Sequence, residues 1–312
     1  MKTVTDHEID IVTEGLAFPE GPICQADGSV LVVEIKGQTL TRVHPDGSRH
    51  VVAHLGGGPN GAAIGPDGAC YVCNNGGARW AIRNGRPAAT GIADDYQGGL
   101  IQRIDLGTGE VRTLYDRVED RPLRGPNDLV FDAHGGFYFT DMGKVHERSI
   151  DRGSVYYAKA DGSMIKEVIF PISMPNGAGL SPDGRTLYVS ETETARLWSW
   201  SVVAPGELAY GTWHSPAHGG KLVYNEPGYR RFDSLAIEAN GNICVATLEI
   251  GAVTIVSPQG QLVEQLKIPG DTHVTNLCFG GPDLRSAWVT LSYAGKLVKV
   301  PWARCGLALN FN

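Results

Sequence analysis

The chain has no run of basic residues, no long apolar stretch and no paired metal-binding cysteines, and each absence closes off a class of function. Its 27 lysines and arginines are outnumbered by 34 acidic residues, the net charge is −7, and the cations gather in no stripe. No phosphate-binding face is expected, and nucleic acid is excluded as a partner. The opening residues MKTVTDHEID lack the apolar core of a signal peptide, and no segment approaches the length needed to cross a bilayer. A cytoplasmic protein without a membrane partner is expected. Of six cysteines, at 24, 70, 73, 244, 278 and 305, only CYVC at 70–73 forms a close pair. That pair sits in a strand-like run, where positions three apart face opposite ways, and no second CxxC completes a zinc site. The thiols are expected to be buried and reduced. No G-x-S-x-G motif occurs, so a serine-nucleophile elbow is absent.

What is abundant is glycine and proline. The 41 glycines and 18 prolines are spread along the whole chain, which implies many tight turns rather than one linker. With 42% hydrophobic and 20% charged residues the chain is expected to bury a sizeable core. One pattern recurs: an oxygen-bearing side chain, a small or polar residue, an alternating apolar run, a turn with glycine, and a second apolar strand. The copies are EGPICQADGSVLVVE from Glu20, NGAAIGPDGACYVCN from Asn60, NDLVFDAHGGFYFTD from Asn127, NGAGLSPDGRTLYVS from Asn176, DSLAIEANGNICVAT from Asp233 and NLCFGGPDLRSAWVT from Asn276. They start 40, 67, 49, 57 and 43 residues apart, close to the ~40–50 residues of a four-stranded propeller blade with insertions. Asp-Gly at 27–28, 67–68 and 183–184 and Asn240-Gly241 mark hairpin turns between paired strands. The fold class is therefore all-β, a six-bladed β-propeller formed by residues 1–312 as one domain.

After Asn276 only three strands follow, around 277–279, 286–291 and 297–302, so the last blade lacks a fourth. The N-terminal HEIDIVTE (7–14) alternates like a strand and is expected to supply it, removing a free edge. Longer spacings place insertions at 78–99, 142–152 and 204–230. These read equally as plain surface loops or, on the face that carries a site, as determinants of substrate choice.

The alignment of the six units puts Glu20, Asn60, Asn127, Asn176, Asp233 and Asn276 at one position, the mouth of each innermost strand, pointing toward the central axis. Any one of them is explained as a turn former. The set of two carboxylates and four carboxamides, without histidine or cysteine, instead suits a hard divalent cation: calcium first, magnesium or manganese next, with zinc as a further alternative. FPEGP (18–22) then places Glu20 as a ligand, where turn chemistry alone explains only the bend.

The segments FPEGP, GPNDLVFDAHGGFYFTD, MPNGAGLSPDGRTLYVSET, FDSLAIEANGNICVA and VTNLCFGGPDLRSAWVTL resemble, in order, those of the regucalcin (senescence marker protein)/gluconolactonase family, over residues 13 to 302. The resemblance implies a six-bladed propeller with a divalent cation in its channel and, in most characterised members, lactonase activity. It places the metal ligands on Glu20, Asn127, Asn176 and Asp233, with Asp233 also as general base or nucleophile. Asn60 and Asn276 are left behind the ligands, lining the channel against the substrate, and Arg124 becomes a substrate contact in a register that is not fixed. Diisopropyl fluorophosphatase, of the same architecture, holds a second calcium through positions that here are Ala236 and Cys278, so no second calcium of that type is expected.

The expected reaction is opening of a lactone, with a sugar lactone favoured, to its hydroxy acid. The alternatives are an arylesterase or phosphotriesterase on the same frame, or a propeller that only binds partners. His273, in DTHVTN, reads either as a proton shuttle or substrate contact or as a polar loop histidine. His134, in a far-end turn, reads as structural. Trp80 and Tyr96 are candidates for an aromatic wall over the substrate.

Overall fold

The computed structural model describes residues 1–5, 8–211 and 216–312. Its strands form six small antiparallel sheets arranged as a six-bladed propeller, as the repeats require. Blade 1 comprises Pro19–Cys24, Val30–Glu34, Thr39–Val43 and Arg49–His54, counted from the axis outward. Blade 2 comprises Pro59–Ile64, Cys70–Asn74, Leu100–Ile104 and Val111–Tyr115, and blade 3 comprises Pro126–Phe131, Gly136–Asp141, Gly153–Lys159 and Ile165–Ile172. In blade 4, Pro175–Leu180, Thr186–Glu191 and Arg196–Ala204 are followed by an outer edge in two pieces, Glu207–Ala209 and Lys221–Asn225. Blade 5 comprises Arg231–Ile237, Ile243–Leu248, Ala252–Val256 and Leu262–Lys267, extended by Lys2–Thr3 in parallel. Among the described residues no helix is long and apolar enough to cross a membrane.

Ring closure follows the expected route. Blade 6 has Val274–Gly280, Ser286–Leu291 and Lys296–Pro301, and Asp10–Glu14 pairs antiparallel with the last of these, so the chain's two ends share one sheet. His7, the first residue of the expected strand, lies outside the described residues. The Asp-Gly turns are equally local: Gln25 and Ser29 pair across the first, with Gly28 in the left-handed region at φ 82° that a side chain disfavours.

The core is divided among the blade junctions, because each sheet must bury both faces against its neighbours. Six apolar clusters result, one per junction, from Leu31, Leu40 and Val72 between blades 1 and 2 to Val30, Trp288 and Leu297 between blades 6 and 1. Cys70 and Cys73 show the strand alternation directly, since the first joins the cluster shared with blade 1 and the second the cluster shared with blade 3. All six cysteines are free and five are buried, and burial pushes the Cys70 thiol up to about 12.

The C-terminal segment was not foreseen. After Pro301 the chain crosses the end of the channel opposite the inner-strand mouths. Leu307 N–H donates to Ile237 O of blade 5 (2.9 Å), Asn310 Nδ2 to Phe131 O of blade 3 (2.8 Å) and Asn312 Nδ2 to Cys24 O of blade 1 (2.8 Å).

Candidate metal centre

The six repeat residues converge because of one local irregularity. In every inner strand the pairing register slips at the residue in question: between Glu20 and Ile23, Pro59 and Ala62, Pro126 and Leu129, Pro175 and Ala178, Phe232 and Leu235, and Val274 and Asn276. A bulge of this kind re-aims a side chain out of the pleat. In three copies, at Gly21, Gly61 and Gly177, the residue that follows is glycine, and the neighbouring blade leaves no room for a side chain. A Cβ on Gly61 would lie 2.5 Å from Asn127 O, and one on Gly177 would lie 2.6 Å from Leu235 N.

A second column of the repeat holds the approach to each bulge. Glu34, Asn74, Asp141 and Glu191 end the second strands of blades 1 to 4. Each accepts backbone N–H groups from the loop that enters its own inner strand: Ala17 (2.6 Å), Gly58 (2.8 Å), Arg124 and Gly125 (both 2.7 Å), and Ser173 (3.0 Å). Sequence reading used only the first column; Glu34, Asn74 and Asp141 close the first three copies, and Glu191 lies one position past the end of the fourth.

Glu20 is 2% exposed, and its Oε2 accepts from Asn276 Nδ2 (2.8 Å) and its neighbour Gly21 N–H (2.8 Å). Burial pushes its carboxyl up to about 7 against those hydrogen bonds. Asp233 keeps part of its surface open. Burial, then the Glu20 charge, hold its carboxyl well above the ordinary range, opposed by a hydrogen bond from Asn176 and by Arg231. A third acid belongs to the same field and was missed: Asp128, beside Asn127, is buried and raised to about 7 by burial and by Glu20. Its signal was an acid at the place where three other copies have glycine.

Asn127 and Asn176 are turned so that their carbonyl oxygens are left over. Asn127 Nδ2 donates to Met142 Sδ (3.4 Å), and since a thioether only accepts, this fixes the amide's orientation. Asn176 Nδ2 donates to Thr192 Oγ1 (3.0 Å). Both Oδ1 atoms are buried with no hydrogen-bond partner. A buried unsatisfied oxygen costs roughly 1–3 kcal/mol, and two in a ring with two carboxyls whose charged forms burial disfavours are the arrangement a hard cation would satisfy. Among the described residues no group of three or more His, Cys, Asp or Glu is disposed to hold a metal.

The other expected residues separate. Asn60 is buried at its ring position and Asn276 is bound to Glu20. Arg124 is exposed at the rim and is held through its backbone, its carbonyl accepting from Tyr96 Oη (2.6 Å). His273 is buried with its ring stacked on Tyr293 (3.5 Å between centroids), Nδ1 unpartnered, and its pKa pushed down to about 4 by burial and by Arg231. His134 sits in the turn after Asp132, at the far end. Ala236 and Cys278 line the wall beyond the ring and offer no oxygen donor from their side chains. There the channel opens into a cavity of about 530 Å³, bounded by Asp128, Asn276 and the C-terminal segment. The cavity therefore lies behind the ring, not on the side of the strand mouths.

With this geometry in place, comparison with known proteins is informative. Residues 18–293 match the family model described as the SMP-30/Gluconolactonase/LRE-like region. The chain is 33% identical over 275 residues to Lactonase drp35 of Staphylococcus epidermidis, covering 86% of this chain and 75% of that one. It is 29% identical over 275 residues to Lactonase drp35 of Staphylococcus haemolyticus, with the same coverage. A gluconolactonase from Xanthomonas campestris superposes with a TM-score of 0.72 at 22% identity, over 94% of this chain and 89% of its own. A calcium-binding protein, regucalcin, from Agrobacterium tumefaciens does so with a TM-score of 0.72 at 19% identity, over 99% and 97%.

Proposed function

Because the chain belongs to the SMP-30/gluconolactonase/LRE-like family, we propose that it hydrolyses a lactone to the hydroxy acid, with one divalent cation held by Glu20, Asn127, Asn176 and Asp233. The names of its relatives, lactonase and gluconolactonase, support the reaction class. The observation that carries the site is the pair of orphaned carboxamide oxygens on Asn127 and Asn176, with the raised carboxyls of Glu20 and Asp233 in the same ring. Calcium is the first choice, because all four donors are hard oxygens and the regucalcin neighbour is a calcium-binding protein. When bound, the cation would polarise the ester carbonyl and offset the charge that develops on its oxygen.

The chain's own residues divide the remaining work. Glu20 is fixed by Asn276 and the Gly21 N–H and is almost wholly enclosed, so it holds and does not transfer protons. Asp233, whose protonated form burial and the Glu20 charge favour, takes the proton from the attacking water. The water oxygen bonds to the acyl carbon, the ring C–O bond breaks, and the proton passes from Asp233 to the departing alkoxide. Direct attack by Asp233 on the acyl carbon is the competing form of the same step.

The test follows acid release from a panel of lactones by the wild type and by Asp233→Asn. The wild type is expected to turn over members of the panel, and the variant to lose about 10²–10⁴-fold in kcat. A variant as active as the wild type would remove Asp233 from the chemistry. Incubation of the Asp233→Asn protein in ¹⁸O-water adds nothing to its carboxamide, whereas wild-type label in Asp233 after single turnover would favour the nucleophilic form.

A further inference from the structure

The insertion between the second and third strands of blade 2 is an antiparallel hairpin, Ala78–Arg83 with Arg86–Ile92, and it reaches the rim at blades 1 and 6. Trp80 packs on Phe18 with ring centroids 5.0 Å apart, and Phe18 lies 6.0 Å from Tyr293. Near the hairpin tip Arg86 donates to Thr272 Oγ1 (3.4 Å) and lies 5.7 Å from the centre of the Tyr293 ring. Both rim segments lead straight into the ring of site residues. Phe18 is two positions before Glu20, His273 under Tyr293 is three before Asn276, and Glu20 and Asn276 are bonded to each other. Phe18 also has φ 62°, a left-handed conformation that costs a bulky residue energy and that surrounding contacts must maintain.

Along the hairpin strand, Ile82 shares the face of Trp80, since side chains alternate with period two. Ile82 is 65% exposed. An aliphatic and an aromatic side chain thus continue the aromatic rim outward. Two cations beside these rings are already engaged, Arg86 with Thr272 and Arg231 with Glu249 (2.5 Å) and Glu193 (3.8 Å). His273 Nδ1 is enclosed beneath Tyr293. A substrate covered in hydroxyls would find few free partners along this side, whereas an apolar group would gain by covering the surface.

We propose that Trp80 and Ile82, with Phe18 and Tyr293, form the subsite for an apolar substituent on the lactone ring, so that the preferred substrates carry an alkyl or aryl group in place of the hydroxyls of a sugar lactone. This rests on the hydrolase reading of the ring and replaces the sugar-lactone expectation drawn from sequence. The test measures kcat and KM for γ-butyrolactone, γ-nonalactone and glucono-δ-lactone with the wild type, Trp80→Ala, Trp80→Phe and Ile82→Ser, each checked by thermal melting. The wild type is expected to favour γ-nonalactone in kcat/KM. Trp80→Ala is expected to lower that value by about 10–100-fold, chiefly through KM, leave γ-butyrolactone within about threefold, and be largely rescued by Trp80→Phe. Ile82→Ser, on an exposed position that the fold does not need, is expected to shift preference the same way more weakly. Equal losses on all three substrates, or a wild type that favours glucono-δ-lactone and ignores both substitutions, would overturn the subsite while leaving the hydrolase reading standing. A wild type inert to every lactone overturns both.

Discussion

The protonation of three carboxyl groups decides how the site responds to pH. Burial holds Glu20 and Asp128 up to about 7 and Asp233 well above the usual carboxylate range, while burial and Arg231 push His273 down to about 4. His273 is therefore neutral wherever the ring carboxylates are ionised, and the acidic limb of the rate profile belongs to the carboxylates. His273→Gln is expected to leave the midpoint of the acidic limb of kcat/KM in place and to cost no more than a few-fold in rate. A displaced limb, or a loss above about 100-fold, would give His273 the proton-transfer role that acid–base catalysis of this size requires.

At the scale of the strand, the site depends on where the pairing slips. The bulge in each inner strand turns one oxygen-bearing residue to the axis, and in blades 1, 2 and 4 a glycine after it lets neighbouring blades approach. At Gly177 an added Cβ would meet only backbone atoms, those of Ser234 and Leu235, which cannot rotate away as a side chain can. Gly177→Ala is expected to destabilise the fold by about 1–3 kcal/mol and to displace Asn176 and Asp233 together. A lowered melting temperature with weakened cation binding would bear this out; an unchanged melt would show that the junction yields. This scale also shows what sequence can reveal. The ring positions were legible because a repeated oxygen-bearing residue stands out in alignment, and the strand order because Asp-Gly turns and alternation are local signals. The clamps at Glu34, Asn74, Asp141 and Glu191 went unread because each acts across a hairpin on backbone groups, which no side-chain pattern advertises. Asp128 went unread because its environment comes from other blades. The hairpin at 78–92 was recognisable as an insertion, but its contact with Phe18 and Tyr293 depends on where a long excursion comes to rest.

Over the whole molecule, the ring gathers its charges from separate blades, and this couples protonation to stability. Glu20 enters from blade 1 and Asp233 from blade 5, so their proximity exists only in the closed propeller. With its pKa raised from 4.5 to about 7, Glu20 binds a proton in the folded state that the unfolded chain releases. Stability from this group is fully present below about 4.5 and is lost as pH rises to about 7. The proposed cation would oppose that loss, because it would bind the ionised carboxylates of the folded state alone. The rise in melting temperature on adding cation is therefore expected to be larger at pH 8 than at pH 5, as read by paired thermal melts. Equal shifts at the two values would separate cation binding from these acids.

The most direct measurement titrates chelator-stripped protein with calcium, magnesium, manganese or zinc while following heat of binding and lactone turnover on the same preparation. The account predicts one equivalent of cation bound, turnover returning in step with it, and loss of both in Glu20→Gln and Asn176→Ala. Full turnover by the stripped protein, or cation binding that survives both substitutions, would contradict it.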